Sequence, residues 1–291
     1  MNENGPPAAE AAWVRIPSGG SSMNGLWWPA RTLPGRESDC AAVYLHGRAL
    51  DMFTALGPAA ARSISRRGMP ALLFDRRGRH LATAVEGPEI GGGAHHSMAD
   101  HEEDVAAVVG WVLARGFRKV LFIGHSQGGL LAARYAAANL GQVQALLLAS
   151  PIPRYAPITA SRLGAGWGLK AKREAERLVA EGRGEDPVLM DKWVFIIKAR
   201  LALEDHPARE ADALEKALSR VRCPLYYTVG TEGVERNFSK AGLRAAEASA
   251  ASPKRIRVRE GGDHLYARDA EAVLADMLGF LEKAGAGLPT P

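Results

Sequence analysis

Lys119–Gly129 reads KVLFIGHSQGG. Its first half contains the apolar run Val120–Ile123, of strand length, and its second half opens onto the helical spacing of Gly128–Asn139. Between the two, Gly124–His125–Ser126–Gln127–Gly128 has the pattern Gly-x-Ser-x-Gly. A serine on so abrupt a strand-to-helix turn is held in a strained backbone conformation. Side chains two residues to either side would collide there, so glycine is required at Gly124 and Gly128. The turn pushes the hydroxyl outward and makes Ser126 the candidate nucleophile. The flanking strand and helix raise this motif above an ordinary glycine-rich turn.

Outward from this stretch, short apolar runs recur at Ala41–Leu45, Ala71–Phe74, Ala145–Ala149, Leu225–Val229 and Ile256–Val258. Amphipathic segments follow most of them: Gly57–Arg67, Met98–Arg115, Gly128–Asn139 and Ala270–Ala284. This alternation predicts an α/β fold, a mainly parallel sheet covered by helices on both faces. The exception is the insertion 153–222, which is helical in composition with no clear strand and is expected to form a lid. Its proline-rich approach, SPIPRYAP, is unsuited to a helix, whereas Lys170–Glu181 and Asp205–Arg220 have helical spacing. Trp193 and Phe195 stand out in the lid, either fastening it to the core or lining a substrate space. The expected division is a disordered leader (1–12), a core (13–152 and 223–284), a helical lid (153–222) and a flexible tail (285–291).

Of the 291 residues, 47% are hydrophobic and 24% charged, the balance of an ordinary globular protein with a substantial core. No apolar run approaches the roughly 18 residues of a membrane span. MNENGPPAAEAA lacks the basic start and apolar middle of a secretory signal, so cytoplasmic residence is expected. Cys40 and Cys223 are read as small apolar residues rather than as a disulfide. The net charge of +5 raises the question of nucleic acid. The arginines are scattered and do not alternate with aromatics, which argues against it, while attraction of an anionic small substrate stays open.

A serine hydroxyl needs a base, normally histidine, steadied by a carboxylate. Of the eight histidines, only His264 follows a C-terminal strand through a short polar turn, Glu260–Gly261–Gly262–Asp263, ahead of another helix. It is the candidate base. His80, the His95–His96 pair and His101 lack the carboxylate or cysteine pattern of a ligand set, so neither a metal nor another cofactor is expected.

His46–Gly47 at the end of an early strand, the GHSQGG elbow and the late GGDH turn together resemble the α/β-hydrolase family, over nearly all of 13–284. The resemblance implies an eight-stranded, mostly parallel sheet, a helical cap inserted after the strand that follows the elbow strand, and the chain order Ser, acid, His. It also implies that Cys40 and Cys223 open strands too far apart to bridge. Arg48 and Gln127 would supply backbone N–H groups to an oxyanion hole. The Arg48 side chain either meets a substrate carboxylate or phosphate or points to solvent. Phe74–Asp75–Arg76–Arg77–Gly78 resembles the family's Asp-x-Arg-Gly turn, which braces loops beneath the site. The acid departs from the family pattern: Gly230–Thr231–Glu232–Gly233–Val234–Glu235 places glycine where aspartate is usual. Glu232, one residue early, is the leading choice, followed by Glu235 and Asp263. The expected chemistry is hydrolysis of an ester, thioester or amide of a small acyl substrate. The alternatives are acyl transfer by the same residues, or a receptor that keeps the pocket for binding. The oligomeric state has no signature here.

Overall fold

A computed structural model describes residues 11–31, 38–48, 50–54, 56–78, 95–155, 166–191, 195–232, 235–286 and 288. The chain opens with a hairpin, β1 (Ala12–Ser18) and β2 (Ser21–Trp28). Strand and helix then alternate: β3 (Cys40–Leu45), α1 (Gly57–Arg66), β4 (Ala71–Phe74), α2 (Met98–Leu113), β5 (Lys119–His125), α3 (Gln127–Ala138) and β6 (Val143–Ala149). The insertion carries α4 (Gly166–Ala180), β7 (Pro187–Asp191), β8 (Phe195–Lys198), α5 (Ala199–Ala202), a 3-10 turn (Pro207–Arg209) and α6 (Ala213–Arg220). The core resumes with β9 (Leu225–Gly230), α7 (Glu235–Ala248), β10 (Lys254–Arg259) and α8 (Ala270–Lys283).

Eight strands form one sheet in the order β1-β2-β4-β3-β5-β6-β9-β10, parallel from β4 to β10 and antiparallel through the hairpin. The central strands read as unbroken apolar runs because both of their faces are covered. On β5, Val120 and Phe122 enter one core while Leu121 and Ile123 enter the other. β3 divides likewise, with Ala41, Val43 and Leu45 on one face and Cys40, Ala42 and Tyr44 on the other. β10 closes one edge. Its alternate residues Arg255, Arg257 and Arg259 converge on Asp276 of α8, at 3.2, 3.4 and 3.2 Å.

Several expectations need correcting. The insertion is not purely helical, since β7 and β8 pair as an antiparallel two-stranded sheet. Val188, Ile197 and residues of α4 and α5 form a small cluster of their own around it. The β-branched FIIK run of β8 suits a half-buried pleat better than a helix. Asp205–Arg220 is not one helix: Pro207 lacks an N–H, His206 caps the 3-10 turn by accepting the Ala208 amide, and α6 begins only at Ala213. The tail is packed at its start, where Ala286 and Leu288 join the core under α1 and α8. Both thiols are free; Cys40 is buried and Cys223 half-buried, on or beside strands three places apart in the sheet. Among the described residues no helix is long and apolar enough to cross a membrane.

Arg77, just after β4, pins the hairpin and α2 to the sheet. Its Nε donates to Asp104 Oδ1 at 2.6 Å, its amide to Asp104 Oδ2 at 3.0 Å, and its Nη2 to Ser18 Oγ and Glu103 Oε2. Burial alone would raise the pKa of Asp104. Hydrogen bonds from His101 and Arg77 outweigh it and hold the carboxyl below the usual range. Removing one partner of a buried pair leaves a charge with too few counterparts. Asp104→Ala is therefore expected to cost about 3 kcal/mol, the low end for such pairs because Glu103 and Asp100 still face Arg77, measured as a shift of the urea midpoint.

Candidate active site

β5 ends in the interior of the sheet and α3 starts one residue later, so Ser126 must reverse the chain direction alone. It adopts φ 54°, ψ −117°, a conformation that costs an L-residue about 1–3 kcal/mol. Backbone bonds hold it from several sides. The Ser126 amide donates to Ala149 O of β6 at 3.0 Å, and its carbonyl accepts the Gly129 and Ile152 amides, both at 3.1 Å. A Cβ on Gly128 would strike the Leu45 carbonyl, so glycine is what lets α3 begin against the end of β3.

His264 arrives on the loop after β10 and places Nε2 3.1 Å from Ser126 Oγ. Two residues on, Tyr266 is fully buried and sends its hydroxyl to Thr228 O at 3.2 Å and into a 2.7 Å bond with Ser150 Oγ. Among the described residues, Ser126, Ser150 and Tyr266 are the three non-glycine residues with positive φ, and all three lie at this site. His125, the residue before Ser126, is fully buried and lies 2.7 Å through Nε2 from the His264 carbonyl. A carbonyl only accepts, so Nε2 carries the proton. Burial, reinforced by the His264 ring 4.9 Å away, pushes the His125 pKa down to about 3 and keeps the imidazole neutral. Neither His125 nor Tyr266 was legible as part of the site, because no spacing rule assigns them a place beside Ser126 and His264.

The turn after β3 forms the opposite wall. Arg76, completely buried, donates through Nη2 to His46 O, Gly47 O and Gln127 Oε1, each at 3.2 Å. His46 Nδ1 also donates to Gly47 O at 2.8 Å, while its Nε2 accepts the Arg76 amide. Across a planar trans peptide the N–H points opposite to the carbonyl, so turning Gly47 O inward turns the Arg48 N–H away from Arg76. A Cβ on Gly47 would lie 3.0 Å from that of Ser126, which puts this turn against the serine. Gln127 is the first residue of α3, so its N–H has no intrahelical acceptor. Its side chain is turned inward, with Nε2 donating to Met98 Sδ at 3.3 Å.

The acidic candidates separate. The turn after β9 is stitched to the His264 loop by Thr231 N to Arg259 O and Glu232 N to Gly262 O, both 3.1 Å. Glu232 itself is exposed, and no described hydrogen bond joins its carboxylate to His264. Asp263 is occupied locally, its carboxylate accepting the Leu265 and Ala267 amides. Glu235 begins α7, with its side chain outside the described residues. Trp193 lies outside the described residues, as does the side chain of Phe195, the first residue of β8. His80 is outside them too, and among the described residues no group of three His, Cys, Asp or Glu side chains is placed to hold a metal ion.

The model of the alpha/beta hydrolase family matches residues 42–277, from β3 to α8. This chain belongs to that family. The fold recurs in Est1E from Butyrivibrio proteoclasticus with bound ferulic acid (TM-score 0.68, 18% identity, covering 94% of this chain and 99% of that one). It recurs in the alpha/beta hydrolase GrgF from Penicillium sp. sh18 (0.67, 16%, 94% and 98%). A soluble variant of Saccharomyces cerevisiae monoglyceride lipase in complex with a substrate analogue is similar as well (0.66, 16%, 96% and 97%). At such identities the likeness is one of fold. No curated protein matches the sequence. Within the alpha/beta hydrolase frame, His125 joins the Ser126 turn to the backbone of the His264 loop.

His125→Phe keeps a ring of similar size and removes the donor. The expected result is a fall in kcat of about tenfold, the worth of one hydrogen bond, with KM nearly unchanged. The same variant tests the buried neutral imidazole. The unfolded chain takes up a proton at His125 near pH 6.5 and the folded chain only near 3, so stability falls as pH drops through that window. Urea unfolding at several pH values should show wild type losing up to about 1.4 kcal/mol per unit more than His125→Phe below pH 6.

Proposed function

We propose that the protein is a serine esterase acting on small acyl esters or thioesters. The observation that carries this reading is the 3.1 Å approach of His264 Nε2 to the hydroxyl of a serine held at φ 54°. Ser126 Oγ attacks the carbonyl carbon as its proton passes to Nε2. The Arg48 and Gln127 N–H groups receive the developing oxyanion, which is where preset donors lower a barrier most. The tetrahedral intermediate collapses, Nε2 returns the proton to the leaving oxygen or sulfur, and an acyl-enzyme remains on Ser126. Water then attacks with His264 again as base, releasing the acid and restoring the serine. Similar structures, the Pyrococcus furiosus esterase and the yeast monoglyceride lipase among them, support ester chemistry.

An alcohol or amine in place of water would make the same residues an acyltransferase. The carboxylate that orients His264 comes, in this reading, from the turn after β9, where the choice is between Glu232 and Glu235. In support, that turn is hydrogen-bonded to the loop bearing His264.

A panel of 4-nitrophenyl acyl esters tests the scheme. A stoichiometric nitrophenol burst is expected, and Ser126→Ala and His264→Ala should each lower kcat by at least about 10³-fold. One of Glu232→Gln and Glu235→Gln should lower it by about 10²- to 10⁴-fold while the other stays near wild type. Turnover that survives Ser126→Ala would remove the nucleophile and the reading with it.

A further inference from the structure

Two arginines share one tyrosine beside the nucleophile. Arg48 follows Gly47, the residue packed against Ser126. Tyr155 lies three residues beyond Ile152, whose amide donates to the Ser126 carbonyl. The Arg48 guanidinium carbon stands 5.1 Å from the Tyr155 ring centroid, and that of Arg209, from the lid, stands 5.6 Å from the same ring. The ring is buried and its residue is anchored to the lid by the Tyr155 amide, which donates to Ala208 O. Arg48 therefore bridges the two loops that flank Ser126, and Arg209 joins it at the seam between lid and core.

Both guanidinium groups are cationic, and both approach one buried ring. The negative face of the ring offsets part of their repulsion. Arg209 donates to the neutral carbonyls of Ala202 and Leu201 at 2.8 and 2.7 Å, and among the described residues it has no acidic partner. Three acids of α2 and the insertion are engaged by other groups. Glu204 accepts the Met98 amide, Glu102 pairs with Arg134 and His206, and Glu210 pairs with Lys216. A positive field beside the nucleophile favours an anionic reactant in both encounter and binding.

We infer that the substrate carries a carboxylate a short chain away from its scissile carbonyl, received by Arg48, with Arg209 on the same tyrosine. Arg48 then serves twice, through its amide at the oxyanion and through its side chain at the far end of the same molecule. The inference rests on the esterase reading for its chemistry, but the cation pair is testable without turnover. A guanidinium fork matches a carboxylate in geometry as well as in charge.

The test compares 4-nitrophenyl hemiglutarate with 4-nitrophenyl pentanoate, alike in chain length and different in charge. The charged ester should be preferred in kcat/KM by about tenfold or more at low salt, and the preference should shrink at roughly 0.5 M NaCl. Arg48→Gln and Arg209→Gln should each lower the ratio severalfold; because a ratio is read, a general loss of activity cancels. Calorimetry of glutarate with Ser126→Ala reports binding with no chemistry, and that binding should disappear when Arg48→Gln is added. A neutral ester hydrolysed as well as or better than the charged one, without glutarate binding, overturns the inference and leaves the esterase reading standing. Glutarate bound through Arg48 with neither ester cleaved does the reverse. If the arginine variants do not fold, the wild-type comparison of the two esters decides.

Discussion

Ser126 passes through a backbone conformation that few L-residues tolerate, and the middle of the molecule is built so that it has no alternative. The strain of about 1–3 kcal/mol is a sizeable share of the 5–15 kcal/mol by which domains are stable, so it persists only where other contacts over-determine it. β6 supplies the acceptor for the Ser126 amide, the loop after β6 supplies a donor to its carbonyl, and α3 starts at once because Gly128 fits against the end of β3. The register of three neighbouring strands is thereby tied to the position of one hydroxyl. The loop bearing His264 is held by the same logic, with Tyr266 and Ser150 also at positive φ and bonded to each other.

Charge beneath the site is distributed with equal economy. His125 is kept neutral next to His264, so an imidazolium formed on His264 meets no second positive ring at contact distance. The permanent charge of Arg76 is placed instead under the turn after β3, where one Nη reaches two carbonyls and the Gln127 side chain. The two residues read as oxyanion donors thus hang on one guanidinium. Their contributions are coupled through it, so single substitutions on either side do not add.

Much of this was legible in the sequence. The elbow, the helix after it and the apolar central strands are local signals: periodicity, glycine spacing and a strand-to-helix change. Each survives folding because burial on both faces demands it. The bracing role expected of Asp75–Arg77 follows from residue type, since a buried arginine must find acceptors. The opening hairpin was harder to see, because Pro17 and Gly25 break the runs of β1 and β2 and half of β1 faces water. In the lid, β7 and β8 support each other only as a pair, information that no single window contains. The acid was the weakest point for a related reason. Its place depends on how two loops stack, and Glu232, one residue away from the family pattern, ends on the outside of that stack.

The row of arginines on β10 bears on more than the ion pairs with Asp276. β10 is an edge, and an edge strand exposes unpaired amides and carbonyls that another chain can extend. Arg255, Arg257 and Arg259 stand on alternate residues, so antiparallel pairing with a second copy would set like charges opposite one another along the new seam. Asp276 neutralises one of these charges and leaves the row positive. The strand that leads into the His264 loop therefore carries its own guard against growth of the sheet from molecule to molecule.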